Sequence, residues 1–76
     1  MSIQRFGEKL RALRTQHGMT LQQLAHALGL SAHGYISELE TGKKVPTVDI
    51  VVKAARFFAV STDQLLKDEL EVMENT

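Results

Sequence analysis

The chain has 76 residues, of which 43% are hydrophobic and 24% charged, and its formal net charge at pH 7 is zero. This composition is too apolar for a disordered chain, and polar residues interrupt it too often for a membrane span. A domain of this size buries only about 60% of the surface that its unfolded chain exposes, which leaves little room for an enzyme cleft.

The first predicted element is a helix over residues 3–17. Phe6, Leu10 and Leu13 recur at helical spacing, and Gly18 supplies the stop. Three basic side chains are expected elsewhere on its surface: Arg5, Lys9 and Arg11.

A second, shorter helix is predicted over residues 20–28. Thr20 and Gln23 have the spacing of a capping box, and Gly29 follows at a position where helices often end in a left-handed residue. The inner stripe of this helix is expected to contain Leu24, Ala25 and Leu28.

The third helix is predicted to have Ser31 as its N-cap and to end at Gly42. One side of it is expected to carry Ile36, Leu39 and Glu40. The opposite side is expected to carry His33, Gly34, Ser37 and Glu38.

Two further helices complete the predicted fold. Pro46 favours an extended residue before it, and Thr47 is placed to cap a fourth helix. Its inner stripe is expected to contain Val48, Val51, Val52, Ala55 and Phe58. Ser61 and Gln64 repeat the capping-box spacing for a fifth helix. A helical line is expected to continue from it through Leu66, Leu70 and Met73.

The second and third helices form a pair suited to a DNA groove. Gly29 permits a tight turn between them, and their crossing angle would be fixed by an apolar wedge of Leu24, Leu28, Leu30, Ile36 and Leu39. The polar side of the third helix then remains free, and the major groove of B-DNA, about 12 Å wide, accepts one α-helix. The pair therefore predicts a unit that presents one helix to double-stranded DNA.

Several motifs together resemble those of the phage Cro and repressor family, the XRE-type group of bacteria. They are the opening FGEKLRALR, the run TLQQLAHALGLSAHGYISELETGKKVPTVD and the ending VSTDQLL, which span residues 6–66. The resemblance implies an all-α fold, a compact lambda-repressor-like bundle of five short helices in which helices two and three form the helix-turn-helix. We expect a single DNA-binding domain over residues 1–76, with residues 67–76 as an acidic C-terminal extension.

The resemblance also implies a role for each matching position. Arg14 and Glu40 would form a structural ion pair between helix one and the end of helix three. Phosphate groups would be held by Thr20, Tyr35, Thr41, Lys43 and Lys44. Bases would be read by His33, Gly34, Ser37 and Glu38. Glu38 predicts a C·G pair in each half-site, because cytosine N4 is the groove donor that suits a carboxylate.

Three positions depart from the family's pattern, and the charges are unevenly distributed. One residue is added within SAHG, Leu21 replaces a frequent glutamine, and Ala59 stands where glycine often ends helix four. Residues 1–56 hold eight Lys and Arg against four acids, a net charge of +4, whereas residues 57–76 carry −4. We therefore expect a basic body, an acidic tail and a modest nonspecific affinity for DNA.

Helix four has a second apolar side, which suggests contact with a second protein chain. Three residues lie on it, outside the expected inner stripe: Ile50, Ala54 and Phe57. Three more follow on the fifth helix and tail: Leu66, Leu70 and Met73. These six are predicted to form a two-fold homodimer interface that holds two recognition helices about 34 Å apart. The alternative is a monomer whose tail folds back over helix four.

These features favour a sequence-specific transcriptional regulator, a homodimeric repressor that binds a pseudo-palindromic operator in double-stranded DNA. Asp49 and the acidic tail are candidate contacts for RNA polymerase. The alternative is an antitoxin-like or protein-interaction module whose C-terminal tail binds a protein partner.

Other functions have little support in the sequence. No catalytic site is expected, because no nucleophile is accompanied by a base and no glycine loop suits a phosphate. His17, His26 and His33 lie on separate predicted elements, so we expect no metal site, and we expect no cofactor, small-molecule ligand or membrane contact. Without cysteine, and without an apolar signal core in MSIQRFGEKL, the protein is expected to be cytoplasmic.

Overall fold

The computed structural model describes residues 4–72, which form five α-helices and no strand. The helices are α1 (Phe6–Gln16), α2 (Leu21–Ala27), α3 (Gly34–Glu40), α4 (Val48–Phe58) and α5 (Thr62–Leu66). Helix α1 packs against α3 and α5, α2 packs against α3, and α4 packs against α5. The predicted all-α fold of five short helices is confirmed. None of the described helices is both long and apolar enough to cross a bilayer.

One hydrophobic core joins all five helices. Its buried residues are Phe6, Leu10, Leu13, Leu24, Ala25, Leu28, Ile36, Leu39, Ile50, Val51, Ala54, Ala55, Phe58, Leu65 and Val72. Each helix buries one stripe and leaves the rest of its surface to solvent, as expected of helices around a single small core.

Side-chain caps fix the starts of three helices where the sequence predicts them. The capping boxes of Thr20 with Gln23 and of Ser61 with Gln64 are both complete, so each pair satisfies two backbone N–H groups. The Thr47 hydroxyl accepts a hydrogen bond of 3.2 Å from the backbone N–H of Ile50. These contacts fix the residue at which each of α2, α4 and α5 begins.

Helix α3 begins later than the sequence predicts. Its N-cap is His33, which has a helical backbone and makes no side-chain cap hydrogen bond, so the prediction that Ser31 caps this helix is wrong. Leu30 packs against the core while Ser31 stays exposed. The residue added within SAHG therefore lengthens the turn before α3 rather than the helix itself.

The buried face of α4 differs in part from the predicted one: Val51, Ala55 and Phe58 are buried as predicted, but two further residues are buried and one is exposed. Ile50 and Ala54 are 3% and 0% exposed, whereas Val48 is 80% exposed. Ile50 and Ala54 therefore cannot form a dimer interface, and Val48 does not belong to the inner stripe. The cause is that α4 is apolar around most of its circumference, so spacing alone did not distinguish the two faces.

The helical line predicted beyond α5 is also wrong. Lys67 has an extended backbone that ends the helix after Leu66, and Leu70 is exposed in a following turn. Val72 instead enters the core. Met73, the last residue of the predicted line, lies outside the described residues.

The acidic tail folds back onto the start of α1. The Asp68 carboxylate accepts hydrogen bonds from the backbone N–H groups of Gln4 and Arg5, at 3.2 and 2.9 Å, and thereby caps a helix whose own N-cap side chain makes no such bond. The Arg5 guanidinium donates to the Asp68 carbonyl and to both carboxylate oxygens of Glu71. The predicted alternative was a monomer whose tail folds back over helix four. These contacts are instead made to the start of α1.

Lys9 is buried, although the sequence suggested a surface position. Its side chain is 1% exposed, and its ammonium donates hydrogen bonds to the carbonyl oxygens of Gln64, at 2.6 Å, and of Lys67. Burial lowers the pKa of Lys9, and the nearby positive charge of Arg5 lowers it further. The ammonium binds carbonyl groups at the C-terminal end of α5, which ties that helix to α1.

Candidate nucleic-acid interface

Helices α2 and α3 form a helix-turn-helix unit. Gly29 has φ +74°, a left-handed conformation that favours glycine, and the N–H of Leu30 donates to the carbonyl of Ala25 at 2.8 Å. The turn therefore closes the end of α2 before the chain leads into α3. Ile36 and Leu39 then anchor α3 in the core, with 0% and 1% of their surface exposed.

The opposite face of α3 is accessible to solvent. His33 and Gly34, at the start of the helix, are exposed, and Ser37 and Glu38, one turn later, are partly exposed. Since residues three and four apart share a face of a helix, these four residues form one continuous surface. The structure thus brings together the residues predicted to read bases.

Arg14 connects three helices near this surface. Its Nε donates to Oε2 of Glu40 at 2.7 Å and its Nη2 donates to Oε1 at 3.1 Å, so the pair is bidentate. Its Nη1 donates to the carbonyl of Met19 at 2.8 Å. The hydrogen bonds that Arg14 donates to the Glu40 carboxylate raise the pKa of Arg14, against the opposing effect of burial. One guanidinium therefore holds the start of α2 and the end of α3 at α1.

Two of the residues predicted to bind phosphates are next in sequence to residues that Arg14 contacts. Thr20 follows Met19, and Thr41 follows Glu40, so both threonines flank atoms that the same guanidinium contacts. The Thr20 hydroxyl accepts from the Gln23 N–H, which leaves its own O–H free to donate. The Thr41 hydroxyl donates to the carbonyl of Ser37, so it must rotate before it can donate to a phosphate.

The turn after α3 presents two lysines. The backbone N–H groups of Lys43 and Lys44 both donate to the carbonyl of Glu38, at 2.9 and 3.3 Å, which fixes the turn against the last turn of the helix. Both lysine side chains are exposed. Tyr35, also predicted to reach a phosphate, is half-buried against the core.

A second surface lies at the junction of α4 and α5. It is an apolar groove of about 390 Å³ lined by Pro46, Val48, Val51, Val52, Thr62 and Leu66. Of the predicted dimer-interface residues that the structure describes, only Leu66 lines this groove. Phe57 is 45% exposed but lines a different cavity, together with His17, Met19 and His26.

The sequence did not predict two groups that help to form the site. The Met19 carbonyl accepts from Arg14, and a backbone acceptor leaves no signature in residue type. Gly7, in the first turn of α1, lies directly against the carbonyls that end α3. A glycine inside a helix, where alanine is intrinsically better, was the signal that could have revealed this contact.

No group of three or more histidine or acidic residues in the described part of the chain is arranged to hold a metal ion. His17 instead stacks edge-on against Phe58, with ring centroids 5.0 Å apart, and its ring nitrogen Nδ1 lies 2.9 Å from the carbonyl of Leu13.

Comparison with known proteins gives a consistent family. A family model described as helix-turn-helix matches residues 10–65. The chain is 40% identical over 62 residues to the SPbeta prophage-derived uncharacterized HTH-type transcriptional regulator YonR of Bacillus subtilis, covering 82% of this chain and 56% of YonR. It is 33% identical over 69 residues to the uncharacterized HTH-type transcriptional regulator YazB of the same organism, covering 91% of this chain and 99% of YazB. The chain thus spans about half the length of YonR and nearly all of YazB.

Among solved structures, the chain is similar to the P22 c2 repressor protein in complex with a synthetic operator. The TM-score is 0.77 and the sequence identity 25%, over 84% of this chain and 96% of the P22 chain. The family match spans α2 to α4 and most of α5, so it includes the helices that carry the predicted interface.

Proposed function

Because the chain belongs to the helix-turn-helix family of DNA-binding transcriptional regulators, whose members are not enzymes, we propose that it is a sequence-specific repressor that binds a pseudo-palindromic operator as a homodimer. In this proposal residues 1–76 act as one DNA-binding domain, in the cytoplasm and without a cofactor. The observation that carries it is the orientation of α3, whose apolar side is anchored in the core while Ser37 and Glu38 face outward.

Recognition in this proposal begins at the accessible face of α3. His33, Gly34, Ser37 and Glu38 enter the major groove, where their short polar groups meet base edges. Glu38 accepts a hydrogen bond from cytosine N4, because a carboxylate near phosphates is repelled unless it meets a donor. This contact requires a C·G pair in each half-site.

Phosphate contacts position the reading helix. The exposed ammonium groups of Lys43 and Lys44 and the hydroxyl of Thr20 bind the phosphates of the DNA backbone. Arg5 takes no part, since its guanidinium already binds Glu71 and Glu8. Because Arg14, Lys53 and Lys67 are also engaged in ion pairs, we expect the DNA affinity to fall less steeply with salt than that of a more basic protein.

The second copy of the chain packs on the apolar groove between α4 and α5. Val48 is the most exposed large apolar side chain among the described residues, and Leu66 and Val52 lie beside it. The surrounding charges are balanced, because the ion pairs Asp49–Lys53 and Asp63–Lys67 provide both signs on the two helices that form the groove. A two-fold copy can therefore meet this surface with opposite charges, as an isologous interface requires.

The rival role, a C-terminal tail that binds a protein partner, has weaker support. Asp68 and Glu71 are engaged with the start of α1, and Val72 is in the core. A partner would have to displace these contacts. Asp49, the candidate contact for RNA polymerase, forms an ion pair of 3.1 Å with Lys53.

A binding selection on random double-stranded DNA, repeated at several salt concentrations, tests the proposal. We expect two inverted half-sites about one helical turn apart, each with a C·G pair, and a salt slope of about −0.9 per phosphate contact. No enrichment over the starting pool would refute sequence-specific binding. Enrichment of a single half-site without an inverted repeat would refute the homodimer.

A further inference from the structure

Helix α1 and the end of α3 approach each other closely at Gly7. A Cβ atom built on Gly7 would collide with the carbonyl oxygen of Leu39 and would lie 2.7 Å from that of Glu40, closer than real Cβ atoms come. Both obstacles are backbone atoms in the last turn of α3, so neither can rotate away as a flexible side chain would. Any larger residue at this position must push the end of α3 away from α1.

The contact between Gly7 and the end of α3 affects the DNA-binding surface as well as the packing of the helices. Glu40 is the residue whose carboxylate Arg14 holds with two hydrogen bonds from α1. The guanidinium can reach it only while α1 and the end of α3 remain close. The same end of α3 leads directly into Thr41, Lys43 and Lys44, and Ser37 and Glu38 lie one turn before it.

We infer that Gly7 is a positioning residue for DNA recognition: its missing side chain sets the distance between α1 and the end of α3, and so the placement of the α3 reading face and of the lysine turn. The inference rests on the proposed function for its effect on DNA. Functional groups must be held within about 0.5 Å of their working geometry, and a methyl group at Gly7 forces several tenths of an ångström of movement in a backbone that bears them.

The test compares Gly7→Ala with Leu65→Ala, a core truncation on α5 that also destabilises the fold. Both are placed in an Ala59→Gly background, because Ala59 has φ +56° and glycine there offsets lost stability. Operator affinity is measured at a temperature where circular dichroism shows both variants folded. We expect Gly7→Ala to bind about tenfold or more weakly than the parent, the size of one mismatched base pair, and Leu65→Ala to bind within about twofold.

A second readout needs no DNA. In NMR spectra of the free protein, Gly7→Ala should shift the Arg14 Nε–H resonance and the amides of residues 38–44, while Leu65→Ala leaves them in place. Unchanged resonances, or equal affinities of the two variants, overturn the inference. If Gly7→Ala stays unfolded even in the stabilised background, the glycine is required for folding and the positioning role is overturned. If the parent binds no DNA, the proposed function fails while the NMR comparison still decides where Gly7 acts.

Discussion

Arg14 of α1 and Glu40, the last residue of α3, form a bidentate ion pair with side-chain exposures of only 13% and 7%. An ion pair this enclosed is unfavourable to break, because removal of one partner leaves a charge away from water. The pair joins α3 to α1, so we expect its loss to reduce the stability of the fold.

Glu40→Gln should lower the free energy of unfolding by about 3 kcal/mol, since Arg14 then keeps its charge without a counter-charge. The double variant Arg14→Met with Glu40→Leu should recover much of this loss, because no buried charge remains. Urea denaturation of both variants measures the difference. An equal loss in the single and double variants would show that the pair is not enclosed as described.

Ala59→Gly should stabilise the protein by about 1 kcal/mol, the strain of a left-handed conformation in a residue with a Cβ. The matched control is Ala27→Gly, at the last residue of α2, where no such strain exists and glycine should destabilise. Thermal unfolding of the two variants decides the matter, and a drop in melting temperature for both would refute the expectation.

The contact between Arg5 and Glu71 should make stability depend on acid pH. The hydrogen bonds from Arg5 hold the pKa of Glu71 below its ordinary value of 4.5, so the unfolded chain binds this proton more readily than the folded one. The contact therefore stabilises the fold above about pH 4.5, and its contribution is lost as the pH falls through the lower pKa of the folded state.

Glu71→Gln should accordingly be less stable than the parent at neutral pH, and the difference should vanish in acid. Glu69→Gln, an exposed substitution in the same tail, is the control and should show no such convergence. Chemical denaturation over a pH series measures both. If the stability difference between Glu71→Gln and the parent were the same at every pH, the contact between Arg5 and Glu71 would not be the source of the pH dependence.

Glu38→Gln should change the base preference of the protein without changing its stability. If Glu38 accepts from cytosine N4, the variant should lose about 1–3 kcal/mol of discrimination at one position of each half-site. Glu69→Gln, with the same loss of charge in the tail, should leave every position unchanged. Binding to a panel of singly substituted operators measures this, and an unaltered preference at all positions would exclude the contact.

Val48→Asp should weaken self-association, because it puts a charge into the apolar groove between α4 and α5. Val45→Asp is a close control, since Val45 is 71% exposed but lines a separate groove with Gln4 and Lys44. Sedimentation equilibrium should show a dimer dissociation constant at least about tenfold higher for Val48→Asp alone. Similar constants for both variants would place the interface elsewhere.

The sequence predicted the five helices and most of their caps, since capping boxes and apolar spacing are local properties. It could not choose the buried face of α4, because Val48 and Ile50 are equally apolar and only the packing of the whole bundle selects between them. The start of α3 was predicted wrongly for a related reason. A serine can cap a helix, but the chain continues past Ser31 as a turn, with Leu30 packed against the core, and α3 begins only after His33.

For the candidate site, the residues on α3 and the Arg14–Glu40 pair were predicted correctly as neighbours, because helical spacing and a family resemblance both constrain them. The contacts of Lys9 and of Asp68 were not predictable from spacing. They join positions more than fifty residues apart in sequence, and their partners are backbone groups that any residue supplies.

The hydrogen bond from the Gln4 N–H to the Asp68 carboxylate joins positions 64 residues apart at 3.2 Å. The two ends of the described chain therefore lie close together. A short peptide linker between them would have a small entropic cost of loop closure. Circular permutation, with the new break between Val45 and Pro46 and thus beyond the hydrogen-bonded lysine turn, is a rearrangement that this geometry should tolerate.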